Sequence, residues 1–154
     1  MNMEKTRGFA VCKGYEGKTH LPLHGSPESA GYDLFCPEDI TVYCGQTVLV
    51  KTGIKAYMQH GEVLKIYPRS SYGIKKGMEL ANTVGIIDKD YYNNPDNEGN
   101  IIVGIRNAGP IPFTIKKGER FAQAIFEIFL EADKETYTQK KEERKGGIGS
   151  TGEN

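Results

Sequence analysis

The residues best equipped for chemistry are two carboxylates and a phenol: Asp88, Asp90 and Tyr91. They follow directly on an apolar run, Gly85-Ile86-Ile87, and the stretch before that, Leu80-Ala81-Asn82-Thr83-Val84, is also mostly apolar. The pattern predicts a buried strand that ends in a polar hairpin. Such an end combines a backbone held by its neighbours with side chains free to face a ligand. A carboxylate placed there can accept a proton, and an aromatic ring can pack against a bound molecule. Asp and Asn also collect in turns for local hydrogen-bonding reasons, so the same residues fit an ordinary turn.

A second stretch, Arg69-Ser70-Ser71-Tyr72-Gly73-Ile74-Lys75-Lys76-Gly77, predicts one capped turn of helix. Its free N–H groups and hydroxyls would converge on one place, which suits an anion. A plain N-cap needs the same residues. His20 and His24 are the nearest approach to a metal pair, but no Cys-x-x-Cys accompanies them. They read as solvated loop histidines. Cys12, Cys36 and Cys44 are odd in number and widely spaced, which fits reduced, half-buried thiols and not a disulfide framework.

The elements that must position these residues are short. Strands are expected at residues 8–13, 32–35, 40–43, 47–56 with a break at Gly53, 62–67, 99–107 and 111–115. Residues 14–29 read as loop with one short extended piece, and residues 92–98 (Tyr-Asn-Asn-Pro-Asp-Asn-Glu) as loop by composition. Residues 120–130 are ambiguous. Phe121, Ala122, Ile125, Phe126, Ile128 and Phe129 trace a helical stripe, and a strand buried on both sides fits nearly as well; periodicity alone favours helix. Residues 131–144 are charged and aperiodic, hence a surface connection, and the glycine-rich end, 145–154, is expected to be mobile when empty. Many short strands at turn-punctuated spacing, with 19 glycines between them, predict an all-β barrel or sandwich.

The bulk numbers restrict function. A chain of 154 residues is most simply one domain with a real core. A formal net charge of zero argues against a broad nucleic-acid or membrane-surface footprint, though a local basic site for a small anion fits. No apolar run is long enough for a membrane span, and no signal core follows the N-terminus, so the expected location is cytoplasmic.

Five segments stand in a definite order: Ala30-Gly31-Tyr32-Asp33-Leu34; Pro68-Arg69-Ser70-Ser71; Asn82 through Gly85-Ile86-Ile87-Asp88-Lys89-Asp90-Tyr91; Arg120-Phe121-Ala122-Gln123; and Gly146-Gly147-Ile148-Gly149-Ser150-Thr151-Gly152. Together they resemble the five motifs of the trimeric deoxyuridine triphosphatases (dUTPases), over residues 30–152. The resemblance implies a β-clip, a distorted jelly-roll barrel with a mobile C-terminal arm. It implies a single domain with a core at about residues 7–131, a linker at 132–143 and the arm at 144–154. It further implies a strand at 120–130, a homotrimer with shared active sites, and Mg²⁺-dependent hydrolysis of dUTP to dUMP and pyrophosphate. That reaction keeps uracil out of DNA and supplies dUMP for dTTP synthesis.

Carried over residue by residue, the resemblance makes Asp88 the general base. Asn82 and the backbone of Gly85, Ile86 and Ile87 would read uracil, and the Tyr91 ring would lie under the deoxyribose and exclude UTP. Arg69, Ser70, Ser71 and Gln123 would hold the triphosphate from one side. Arg144, Gly149, Ser150 and Thr151 would hold it from the arm, and Ile148 would cover the base. Asp33 would meet Mg²⁺ through water at most, the ion resting mainly on phosphates. Two departures are visible. The arginine, Arg144, is one residue closer to the glycines than is usual and Ile148 replaces an aromatic; the tip after Tyr91 is lengthened by residues 92–98. Two other readings are a relative of the dCTP deaminases, whose hairpin differs from Gly85-Ile86-Ile87-Asp88, and a regulatory protein-binding module that would use the lengthened tip to meet a partner.

Overall fold

The computed structural model describes residues 4–139, 142–149 and 151. Among them the chain forms twelve strands, one α-helix and two 3₁₀ turns. The largest sheet has five strands in the order β2 (Leu23–His24), β3 (Tyr32–Phe35), β12 (Arg120–Ile128), β7 (Glu62–Pro68) and β9 (Gly85–Ile87). A second has β5 (Thr47–Lys51), β10 (Ile102–Asn107) and β8 (Met78–Leu80). Two ribbons complete the wall: β1 (Gly8–Val11) with β6 (Ile54–Tyr57), and β11 (Phe113–Ile115) with β4 (Ile40–Val42). Every pairing among the described residues is antiparallel. One core joins them, with Leu34, Leu64, Ile66 and Phe121 from the large sheet facing Val50, Val103, Ile105 and Met78 from the second.

β12 corrects the helical stripe read from periodicity. It lies between β3 and β7, paired along both edges, with a register shift between Arg120 and Ala122, and Phe121, Ala122 and Ala124 are wholly buried. The shift leaves the consecutive Phe121 and Ala122 both buried, which interrupts the alternation of a strand and mimics a helix stripe. The expected break at Gly53 is present: Gly53 sits at φ 73° between β5 and β6.

Two other local expectations need correction. The one helix, α1 (Ser70–Lys76), starts after an extended Arg69 and has no side-chain cap, so Ser70 and Ser71 are its first residues and not its cap. The reversal near the acidic tip comes earlier than expected. It runs through Ala81–Val84, with Thr83 at φ 71°, and carries the chain from the second sheet into β9 of the first. β9 itself is an edge strand, partly exposed and not buried, and Asp88 leads from it into a 3₁₀ turn, Lys89–Tyr91. Cys12 and Cys36 are buried, and all three thiols are free. Burial raises the Cys12 thiol to about 12 and that of Cys36 to about 11, which keeps both protonated and inert.

Candidate active site

β9 is held tightly on one side only. Gly85, Ile86 and Ile87 pair with Ile66, Lys65 and Leu64 of β7. A Cβ on Gly85 would fall 2.8 Å from the Ile66 Cβ, so only glycine lets the strands close there. Among the described residues, the other side of β9 has no neighbouring strand. An edge strand leaves alternate N–H and C=O groups outside the ladder, where a ligand can meet them. Beside this edge lies a cavity of about 280 Å³. Leu49, Ile66, Leu80 and Val103 give it an apolar floor, and Asn82 adds an amide. The volume and mixed lining suit a small planar ring with a polar edge.

Asp88 and Tyr91 stand at the same cavity. The 3₁₀ turn between them places both on one side. Tyr91 is buried, and its hydroxyl donates to the Asn100 carbonyl at 2.6 Å and accepts from Asn97 Nδ2 at 2.9 Å. Burial holds the phenol above its usual range, so it stays neutral. With its hydroxyl engaged at the back, the ring has only its face to offer a ligand. Asp88 is half exposed, and its carboxylate accepts from Arg144 Nη2 at 2.6 Å. Arg144 also donates from Nε to Asp90 at 2.7 Å and lies over the Tyr91 ring, 5.9 Å from its centroid. The arm thus turns back onto its own chain, and Gly147 and Ile148 join the cavity lining.

The remaining expected residues form a separate group, and none of them lines this cavity. Asp33 is buried between two arginines, with Oδ1 3.2 Å from Arg69 Nε and Oδ2 3.1 Å from Arg120 Nη1. Arg69 also donates to the Arg120 carbonyl at 3.3 Å, and Gln123 Nε2 donates to the Pro68 carbonyl at 3.3 Å. Ser70 is exposed and Ser71 half-buried at the start of α1, beside Arg69. Two guanidiniums against one carboxylate leave the group with a net positive charge, which suits phosphate. Arg120 belongs here by position, although the sequence assigns it no role; its signal is its place in the segment Arg120-Phe121-Ala122-Gln123. Gly149 and Thr151 lie exposed in the arm, away from the cavity lining. Ser150 falls outside the described residues.

The donor set bears on metal binding. Among the described residues no group of three or more His, Cys, Asp or Glu could hold an ion, and His20 and His24 pack instead on Phe35 and Tyr32. Asp33 already serves two guanidiniums. A carboxylate has about four lone-pair directions, so an outer-shell contact through water still fits. That arrangement matches a Mg²⁺ ion carried mainly by phosphate oxygens.

Comparison with known proteins identifies the family. The dUTPase family model matches residues 17–152. The deoxyuridine 5′-triphosphate nucleotidohydrolase of Lactococcus lactis is 50% identical over 149 residues, covering 96% of this chain and 99% of that protein. The enzyme of the same name from Ectopseudomonas mendocina is 41% identical over 137 residues, 86% of this chain and 87% of that protein. The crystal structure of dUTPase from Streptococcus mutans superposes with a TM-score of 0.77 at 45% identity, covering 82% of this chain and 98% of that one. The dUTPase of Staphylococcus aureus phage phi11 superposes with a TM-score of 0.71 at 18% identity, covering 90% of this chain and 97% of that one, which shows the shared fold alone. The fold is therefore the jelly-roll-like β-clip expected from the five motifs, and the chain belongs to the dUTPase family.

Proposed function

We propose that this chain hydrolyses dUTP to dUMP and pyrophosphate, with Asp88 as general base. The observation that carries the reading is the convergence of the β9 edge, Asn82, Asp88 and Tyr91 on one cavity sized for a base and sugar. Uracil presents acceptor, donor and acceptor along its pairing edge. The β9 backbone and the Asn82 amide answer that pattern, whereas cytosine would leave groups unpaired, a mismatch worth on the order of 10⁴-fold in specificity. The Tyr91 face takes the deoxyribose and leaves no room for a 2′-hydroxyl. Asp88 orients and deprotonates a water for in-line attack on the α-phosphorus, a contribution of about 10²–10⁴-fold. Mg²⁺, when bound on the phosphates, neutralises charge on the triphosphate. Arg69, Ser70, Ser71 and Gln123 hold the triphosphate from one side, and Arg144, Gly149, Ser150 and Thr151 from the arm, while Ile148 covers the base.

The enzyme acts as a homotrimer with shared sites in the cytoplasm. The separation of the nucleoside cavity from the Asp33–Arg69–Arg120 group supports this assembly. One chain presents the two halves of a site apart, and a second copy can bring them together. Exposed Ile111, Ile128 and Leu130 supply apolar surface for such contacts. The working division is a core at about residues 7–131, a linker at 132–143 and an arm at 144–154.

The test is pyrophosphate release measured separately with dUTP, UTP, dCTP and dTTP, with ammonia assayed in the dCTP reaction. Release from dUTP alone is expected. Ammonia from dCTP, or no turnover of dUTP by a well-folded assembly, would overturn the reading.

A further inference from the structure

The segment that lengthens the tip after Tyr91 is not a loose loop. Asn94 is buried and organises it: its Nδ2 donates to the Tyr91 carbonyl at 2.8 Å and to Asn97 Oδ1 at 2.7 Å, while its Oδ1 accepts from the N–H groups of Asp96 and Asn97, both at 3.1 Å. Asn97 Oδ1 also accepts from the Gly99 N–H at 3.0 Å. The outer flank is pinned by Lys55, whose Nζ donates to Asn93 Oδ1 at 2.6 Å, pairs with Glu98 at 3.3 Å and lies over the Tyr92 ring. A segment this fully bonded presents a fixed surface before anything docks on it.

Three successive arm residues meet that surface. The Asp96 N–H donates to the Lys145 carbonyl at 3.1 Å. Gly146 lies flat on the Asp96 side chain: a Cβ there would come within 2.7 Å of Oδ2 and 2.9 Å of the Asp96 Cβ. Gly147 faces Asn97 Nδ2 and the Tyr91 hydroxyl, each 3.3 Å from where its Cβ would be. The same Asn97 nitrogen donates to that hydroxyl. Of the residues that flank these three, Arg144 reaches Asp88 and Ile148 lines the cavity next to Gly147.

We propose that the Tyr92–Glu98 segment is the seat of a C-terminal arm, its own in the single chain and a neighbour's in the proposed assembly, with Asp96 and Asn97 as positioning residues that fix Lys145–Gly147 so that Arg144 and Ile148 close the site. The inference rests on the dUTP-hydrolysis reading for its kinetic consequence, but the seat itself is a contact that can be measured without turnover. It also gives the segment a task inside the enzyme instead of at a surface for a regulatory partner.

The test is a double-mutant cycle. Gly146→Ala drives a methyl group into Asp96, and Asp96→Gly removes the three atoms nearest to it while keeping the N–H that holds Lys145. Gly146→Ala in the parent is expected to lower kcat/KM for dUTP about tenfold or more, mainly through KM; in the Asp96→Gly background its penalty should shrink to roughly threefold or less. Tryptic cleavage after Arg144 and Lys145, followed by mass spectrometry without nucleotide, should speed up in Gly146→Ala and return towards the rate of the Asp96→Gly parent in the double variant. Assembly size and Tm report whether each variant is folded. Equal Gly146→Ala effects in both backgrounds, in kinetics and in proteolysis, would overturn the seat. A parent that cleaves no dUTP, with the proteolysis cycle still showing coupling, would sink the functional reading and leave the seat standing.

Discussion

Arg144 Nη2 lies 2.6 Å from Asp88 Oδ2, so the arm's guanidinium rests on the carboxylate proposed as the base. A triphosphate with several negative charges competes for that cation and releases the carboxylate to a water. The pair is half exposed on the Asp88 side, so it adds little to folding stability. Asp88→Asn should therefore lower kcat by roughly 10²-fold or more, with KM for dUTP nearly unchanged and the same Tm. Steady-state kinetics check this, and turnover within a few-fold of the parent removes Asp88 from the role.

The sugar selection proposed for Tyr91 rests on its ring and not its hydroxyl, because the hydroxyl is committed to Asn100 and Asn97. Tyr91→Ala should raise the UTP-to-dUTP ratio of kcat/KM. Tyr91→Phe should keep the parent ratio while costing about 1–3 kcal/mol of stability, since buried groups lose a partner. Identical ratios in the parent and Tyr91→Ala would refute the steric account.

The arm and the Asp88 site should complement each other between chains. A variant ending at residue 143 should fold and assemble but lose most activity. Co-refolding it with Asp88→Asn creates mixed assemblies in which a sound arm can cover a sound carboxylate, and activity should rise above either parent. In the single chain the arm covers its own cavity. If subunit exchange is verified and no activity returns, that placement is also the working one.

Acid should remove one identifiable contribution to stability. Glu62 accepts from Arg7 Nε at 3.0 Å and from the Gln59 N–H at 3.0 Å, and the Arg7 hydrogen bond is the main reason its carboxyl lies below the usual range. A depressed carboxylate stabilises the fold above its unfolded value of about 4.3, and the effect fades as pH falls through the lower folded value. Glu62→Gln should thus lower Tm near neutrality, and the gap to the parent should close below about pH 4. A gap that persists undiminished in acid would mean packing, not charge, is lost.

Much of this was legible in the sequence because turns and strands are local. Gly53 broke a strand where a positive φ was needed, and Pro68 marked the end of β7. Residues 120–128 look helical by pattern because the register shift after Arg120 interrupts alternation, and only the ladders to β3 and β7 decide the matter. The pairing of Asp33 with Arg120 spans 87 positions, and that of Arg144 with Asp88 spans 56. No local pattern carries partnerships at that distance; they are consequences of the assembled sheets. The Asp96–Gly146 contact was hidden for the same reason, since composition made both segments look like solvent-facing loops.

The proposed division of the site, with the Asp33–Arg69–Arg120 group apart from the nucleoside cavity, has a consequence for gene dosage. Under that proposal an isolated chain holds parts but no complete site, so newly made copies contribute nothing until they find one another. Output would rise more steeply than copy number at low expression and become proportional only once assembly is saturated. A cell that halves its supply of this chain near that threshold would lose more than half of its capacity to clear dUTP.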